Sequence, residues 1–198
     1  INISSDRIQS IKYANDVWIA GSSSSGLYYS TDGITWTQSN ITSGYFNYIV
    51  YANGIWVATT DYSASTNEGL YYSTDGMTWT LSNITTGYFE SIAHADGIWV
   101  ASTGTFGTNK GLYYSTDGMT WTLSNVTTGS FHFATNANNI WVASSDYPDN
   151  NVYYSIDGIT WTKSNIIISQ FNCITYANGI WLAGSDDNKG LWYSTNGI

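Results

Sequence analysis

Positive charge is scarce in this chain. Of 198 residues only Arg7, Lys12, Lys110, Lys163 and Lys189 are cationic, against 14 acidic residues, for a formal net charge of -9. A surface of that sign repels phosphate backbones instead of releasing their counterions, which argues against nucleic acid as a partner and against anionic membrane surfaces. Long apolar runs are also missing: none approaches the roughly 20 residues that a helix needs to cross a bilayer, so no membrane insertion is expected. Cysteine is reduced to Cys173. One cysteine excludes an intrachain disulfide, and as a small hydrophobe it is expected to be buried and inert. Charged residues of both signs make up only 10 %, where an ordinary soluble domain carries roughly 25 %.

Aromatic residues, Asn, Asp, Ser, Thr and Gly take their place, with Phe, Trp and Tyr at 17 %. Aromatic and β-branched side chains suit a pleated surface, and Asn, Asp and Gly tolerate left-handed turn positions, so strands and tight turns are expected and long helices are not. Internal repetition then decides the architecture. The segment Asn53-Gly54-Ile55-Trp56-Val57-Ala58 is echoed around Trp18, Trp99, Trp141 and Trp181, at intervals of 38, 43, 42 and 40 residues. A second segment, Leu27 to Thr37, returns at Leu70 to Thr80, Leu112 to Thr122 and Val152 to Thr162, and in part from Leu191 to Ile198.

Asn-Gly and Asp-Gly pairs flanked by such residues signal hairpins. Each unit therefore reads as four strands, in the second unit about Phe46 to Tyr51, Ile55 to Thr59, Leu70 to Ser73 and Thr78 to Ser82. A four-stranded meander has two apolar faces and needs neighbours on both, and radial stacking satisfies that better than a β-solenoid or an open array. The fold class expected is all-β: a single five-bladed β-propeller domain over residues 1–198, with repeats at about 5–44, 45–87, 88–129, 130–169 and 170–198 plus 1–4. In that reading Ile1 to Ser4 supplies the outermost strand of the fifth blade and closes the ring, although no tryptophan there answers Trp36, Trp79, Trp121 and Trp161.

The turn Ser30-Thr31-Asp32-Gly33-Ile34-Thr35-Trp36 resembles the Asp-box, or bacterial neuraminidase repeat, shortened by one residue between Asp and Trp. It recurs at Ser73 to Trp79, Ser115 to Trp121 and Ser155 to Trp161, and the fifth copy has Asn196 in place of Asp. The resemblance implies a propeller blade but no particular activity, since the box occurs in sialidases, lectins, photosystem assembly factors and many surface proteins. Read from its residues the box is scaffold: the carboxylate accepts N–H groups within the turn, Gly takes positive φ and Trp packs between blades. One Asp per turn is far from the six to eight oxygens of a calcium site, so no metal or other cofactor is expected.

Sialidase chemistry, as the resemblance implies it, needs three arginines and a Tyr–Glu pair. Arg7 is the sole arginine, and the only glutamates, Glu68 and Glu90, lie in different units. His94 and His132 stand alone in their units, in channel-lining positions where they could meet across the centre, and no Gly-x-Ser-x-Gly motif occurs. An enzyme is not expected.

Binding is expected on the rim carrying the longer connections. Repeated Asn, Thr and Tyr there suit sugar hydroxyls and the apolar face of a pyranose. The candidate ligand-binding residues are Asn40, Tyr45, Asn83, Tyr88 and Asn125 in the connections between units, with Asp61, Tyr62, Asp146 and Tyr147 in the variable loops. The expected function is a multivalent recognition module for glycans, lectin- or adhesin-like and secreted or surface-exposed. A structural or protein-binding scaffold is the alternative.

Overall fold

The computed structural model describes residues 6–61, 67–106, 108–146, 150–167, 171–185 and 190–197. Among these there is no helix, and the strands form five antiparallel meanders in chain order. Blade 1 comprises β1 (Ile8–Ala14), β2 (Val17–Ser22), β3 (Leu27–Ser30) and β4 (Thr37–Gln38); blade 2 comprises β5 (Phe46–Ala52), β6 (Ile55–Thr60), β7 (Leu70–Ser73) and β8 (Thr80–Leu81). Blade 3 follows with β9 (Phe89–Ala95), β10 (Ile98–Thr103), β11 (Leu112–Ser115) and β12 (Thr122–Leu123), and blade 4 with β13 (Phe131–Ala137), β14 (Ile140–Ser145), β15 (Asn151–Ser155) and β16 (Thr162–Ile167). Blade 5 has three strands among the described residues, β17 (Phe171–Ala177), β18 (Ile180–Ser185) and β19 (Leu191–Ser194).

Turn chemistry sets the first hairpin of every blade. Asn53 and Gly54 have φ of 51° and 80°, and the pairs Asn15-Asp16, Asp96-Gly97, Asn138-Asn139 and Asn178-Gly179 are likewise both positive, as a two-residue type I′ turn requires. The second hairpin is built by the Ser-x-Asp-Gly turn. Ser73 Oγ accepts the N–H of Gly76 at 2.8 Å, and Asp75 Oδ1 accepts those of Met77 and Thr78 at 2.7 and 2.8 Å. The same bonds recur at Ser30/Asp32, Ser115/Asp117 and Ser155/Asp157, so the scaffold reading of this turn holds.

Packing runs from blade to blade. Val17, Ile19 and Leu27 of blade 1 bury against Phe46, Ile49, Trp56, Ala58, Tyr71 and Trp79 of blade 2. Val57 and Leu70 of blade 2 meet Phe89, Ile92, Trp99, Ala101, Tyr113 and Trp121 of blade 3 in the same way. Each interface thus receives aliphatic side chains from the preceding blade and mainly aromatic ones from the next. A fully buried Phe contributes about 1.5–3 kcal/mol, and Phe46, Phe89 and Phe131 each supply such a contribution to one interface.

The ends differ from the interior. Ile11 is 57 % exposed where Ile49 is 5 %, and Leu191 is 71 % exposed where Leu70 is 0 %. The expected pairing of Ile1 to Ser4 with blade 5 lies outside the described residues. Trp192, which takes the place of Tyr71 or Tyr113, lines an apolar cavity of about 60 Å³ with Val142, Val152, Phe171, Ile174 and Trp181. In the earlier interfaces Trp79, Trp121 and Trp161 bury against the equivalent residues.

Candidate functional site

The β2–β3-type loops and the connections between blades share one rim, joined by backbone bonds such as Gly26 N to Gly44 O, Gly69 N to Gly87 O and Gly111 N to Gly129 O. The tight turns occupy the other rim. The sequence-derived candidates fall into three groups on this frame.

The asparagines are clips. Asn40 Oδ1 accepts the N–H of Trp79 and its Nδ2 donates to the Trp79 carbonyl, both at 2.8 Å. Asn83 does the same to Trp121 and Asn125 to Trp161. A side-chain amide here imitates a strand's backbone and pairs with the outermost strand of the next blade, so all three amides already have structural work. The tyrosines are half-buried. The Tyr88 hydroxyl donates to Glu68 Oε1 at 2.9 Å while Gly87 N donates to Oε2 at 3.0 Å, and the Tyr45 carbonyl accepts the N–H of Asp61 at 3.0 Å. Tyr62 and Tyr147 lie outside the described residues.

Asp61 and Asp146 belong to a polar cluster near the start of the innermost strands. Position two of these strands reads Asn47, Glu90 and His132 in blades 2, 3 and 4. His132 Nδ1 lies 2.8 Å from Glu90 Oε2, and its Nε2 lies 3.5 Å from Asp146 Oδ2. Thr105 Oγ1 donates to Asp146 Oδ2 at 2.9 Å, and Lys110 Nζ donates to the Gly104 and Thr105 carbonyls and to Ser130 Oγ. Gly104 leaves room for the Glu90 carboxylate: a Cβ there would stand 2.7 Å from Glu90 Oε1.

Beside this cluster stands Tyr48, 44 % exposed. Burial first, then the charges of Glu90 and Asp61, push its hydroxyl above the ordinary value, so it remains a neutral hydrogen-bond donor. The two carboxylates hold opposite nitrogens of one imidazole and do not converge on a common point, and among the described residues no group of three His, Cys, Asp or Glu is placed to hold a metal ion.

The histidines do not meet across the centre. His94 lies at the other end of its strand, its Nε2 3.2 Å from Asn53 Nδ2 and its ring tilted by 59° against that of Trp99 with ring centres 4.7 Å apart. Burial outweighs the charge of Asp96 and lowers its pKa. Cys173 corrects a second expectation: it is exposed, not buried. It follows the bulge between Phe171 and Cys173 in the last blade, whereas its counterpart Ser91 is buried and its Oγ accepts the N–H of Ala134 from the next blade.

The repeat reading passes over Tyr48 and takes Glu90 and His132 singly, as lone residues of separate units and not as partners. Their signal was divergence: the surrounding residues repeat closely, and these positions do not.

No protein-family model matches the chain, and no curated protein does. Solved structures do. The computationally designed Ika8 protein is 12 % identical with a TM-score of 0.70, the match covering 96 % of this chain and 59 % of that one. YCF48 bound to D1 peptide is 15 % identical, TM-score 0.67, covering 100 % and 67 %. The GH74 xyloglucanase from Xanthomonas campestris is 15 % identical, TM-score 0.65, covering 96 % and 36 %. At such identities the likeness establishes the propeller fold alone. The chain thus spans less than two thirds of the designed protein and about a third of the xyloglucanase.

Proposed function

We propose that this chain is a non-enzymatic recognition module, an Asp-box type of propeller array that binds carbohydrate on its loop rim and acts outside the cell or on a particle surface. One observation carries the reading: an exposed aromatic ring, Tyr48, stands beside the carboxylates of Glu90 and Asp61 on the rim where variable loops gather. Carboxylates accept bonds from sugar hydroxyls, and an aromatic face covers the apolar side of a pyranose. The contacts of His132 with Glu90 and Asp146 fix the Glu90 carboxylate before a ligand arrives, which lowers the cost of ordering it.

The asparagine clips move the proposed contacts away from Asn40, Asn83 and Asn125 and toward the innermost strands. The Tyr88–Glu68 pair is a second, lesser site on the same rim.

The test is a glycan-array screen of the wild-type chain beside Tyr48→Ala and Glu90→Gln. Binding to a defined sugar class that both variants lose by tenfold or more supports the reading. Binding that survives both variants refutes the placement, and no binding to any glycan refutes the carbohydrate reading in favour of a protein-binding scaffold.

A further inference from the structure

Asn40, Asn83 and Asn125 share a property besides the clip: each opens a triplet Asn-x-Thr, completed by Thr42, Thr85 and Thr127. That triplet is the acceptor pattern for an N-linked sugar. A further one, Asn2-Ile3-Ser4, lies outside the described residues. The three clip asparagines and their threonines are exposed, and exposure alone would make them available to a transferase. The geometry of the clip opposes it.

Both bonds of a clip run to a single residue. Asn83 Oδ1 accepts the Trp121 N–H at 2.8 Å and Asn83 Nδ2 donates to the Trp121 carbonyl at 2.9 Å. One amide can meet the N–H and C=O of one residue only along one edge, with its oxygen and the N–H that lies cis to that oxygen. An N-linked sugar takes that same place. The product is a secondary amide, trans like a peptide bond, with its substituent cis to the oxygen and its remaining N–H on the far side. Keeping the clip would demand the cis amide, which secondary amides rarely populate. The middle residue of each triplet is tied down as well. Ile84 N donates to Ser82 Oγ at 3.0 Å, its carbonyl accepts the Leu70 N–H at 3.2 Å, and its side chain packs against the cluster of Phe89 and Trp99. Ile41 and Val126 are held by the same bonds at the neighbouring junctions.

We propose that Asn40, Asn83 and Asn125 are either-or sites: each clips the next blade or carries an N-linked sugar, never both. The transfer forms a bond between Nδ2 and the anomeric carbon of the sugar, releases one Nδ2 proton, and breaks the C–O bond of a glycosyl phosphate donor, whose phosphate leaves with the bonding pair. A sugar added while the chain is being made therefore unclips its junction. A finished junction withholds the amide from the transferase.

The experiment presents the full chain to a soluble N-glucosyltransferase specific for Asn-x-Ser/Thr, with UDP-glucose as donor, in two ways: after purification in the folded state, and by co-expression during synthesis. Peptide mapping by mass spectrometry reads the occupancy of each asparagine, and the melting temperature is recorded for the modified chains. Occupancy at the three clip asparagines is expected to be roughly tenfold or more lower in the folded chain. Chains carrying a sugar at Asn83 are expected to melt about 4–8 °C below the unmodified chain, or to be recovered only unfolded. Thr85→Ala removes the acceptor triplet and keeps the clip, so after the same co-expression it should hold an unmodified Asn83 and escape that loss. Occupancy no higher during synthesis than after folding overturns the proposal, because the clip then does not shield the amide. A sugar at Asn83 that leaves the melting temperature unchanged overturns it as well, because sugar and clip then coexist.

Discussion

Replacing Asn83 by alanine removes one clip and little else. The side chain is exposed, so no cavity follows, but the N–H and carbonyl of Trp121 lose partners at 2.8 and 2.9 Å. Each net hydrogen bond contributes about 1 kcal/mol, and water can reach the freed groups in part, so the expected loss is about 2 kcal/mol. For a chain of this size that corresponds to a fall in melting temperature of about 4–8 °C. Thr85 is the internal control. It lies two residues further along the same connection and is exposed, so Thr85→Ala should cost less than about 0.5 kcal/mol. Urea unfolding followed by tryptophan fluorescence compares the two. Equal shifts for Asn83→Ala and Thr85→Ala would refute the clip and leave the asparagine a mere surface residue.

Acid should weaken the second hairpin of each blade. The N–H groups of Thr35 and Ile34 hold the Asp32 carboxyl down to about 2 from an ordinary 3.8, and at Asp75, Asp117 and Asp157 the bonds from the following turn outweigh desolvation and also lower the value. A depressed folded pKa means stability that is present above the unfolded value and lost as pH falls, so the urea midpoint should drop between about pH 4 and about pH 2; a midpoint flat through that window would deny the aspartates this role. Two glycine substitutions separate conformational strain from collision. Gly54→Ala, at φ 80° with nothing within 4 Å, should cost about 1 kcal/mol, whereas Gly111→Ala, whose Cβ would meet the Val126 carbonyl oxygen at 2.0 Å, should cost more than about 3 kcal/mol. Similar melting temperatures for the two variants would show that the loop–connector contact yields freely.

Strand positions were legible because periodicity and turn chemistry agree at every repeat. The expected Phe46 to Tyr51 and Ile55 to Thr59 are found as Phe46–Ala52 and Ile55–Thr60. The outermost strand is shorter than expected, Thr80–Leu81 in place of Thr78 to Ser82: Thr78 N turns to the Asp75 carboxylate and Trp79 pairs with the Asn40 amide, while Ser82 N still donates to the Leu70 carbonyl. The structural part played by the asparagines was not legible, for a physical reason: a repeated polar residue on a rim looks like a binding residue until its partner, a backbone in the next repeat, is known. Their lockstep with the tryptophans, Asn40 to Trp79 and Asn83 to Trp121, was the available clue. Cys173 misled because exposure at that strand position varies from blade to blade, Ser91 being buried and Tyr48 exposed, and repeat alignment does not contain that fact.

The rim cluster gains a further property from its place in the array. Glu90 and Thr105 come from blade 3, His132 and Asp146 from blade 4, and Tyr48 from blade 2. No single repeat holds the site. Its geometry is therefore set by the contacts between blades, among them the Asn125 clip to Trp161 and the bond from Ala134 N to Ser91 Oγ at 2.9 Å. In a quasi-one-dimensional array stability is a sum of blade and interface terms, so the interfaces that hold blades 2, 3 and 4 together are also those that position Tyr48 against its carboxylates. Divergence of single residues at such a junction is a direct way for an array of near-identical units to acquire one specific site, since the repeated residues preserve the scaffold while the unrepeated ones supply the chemistry.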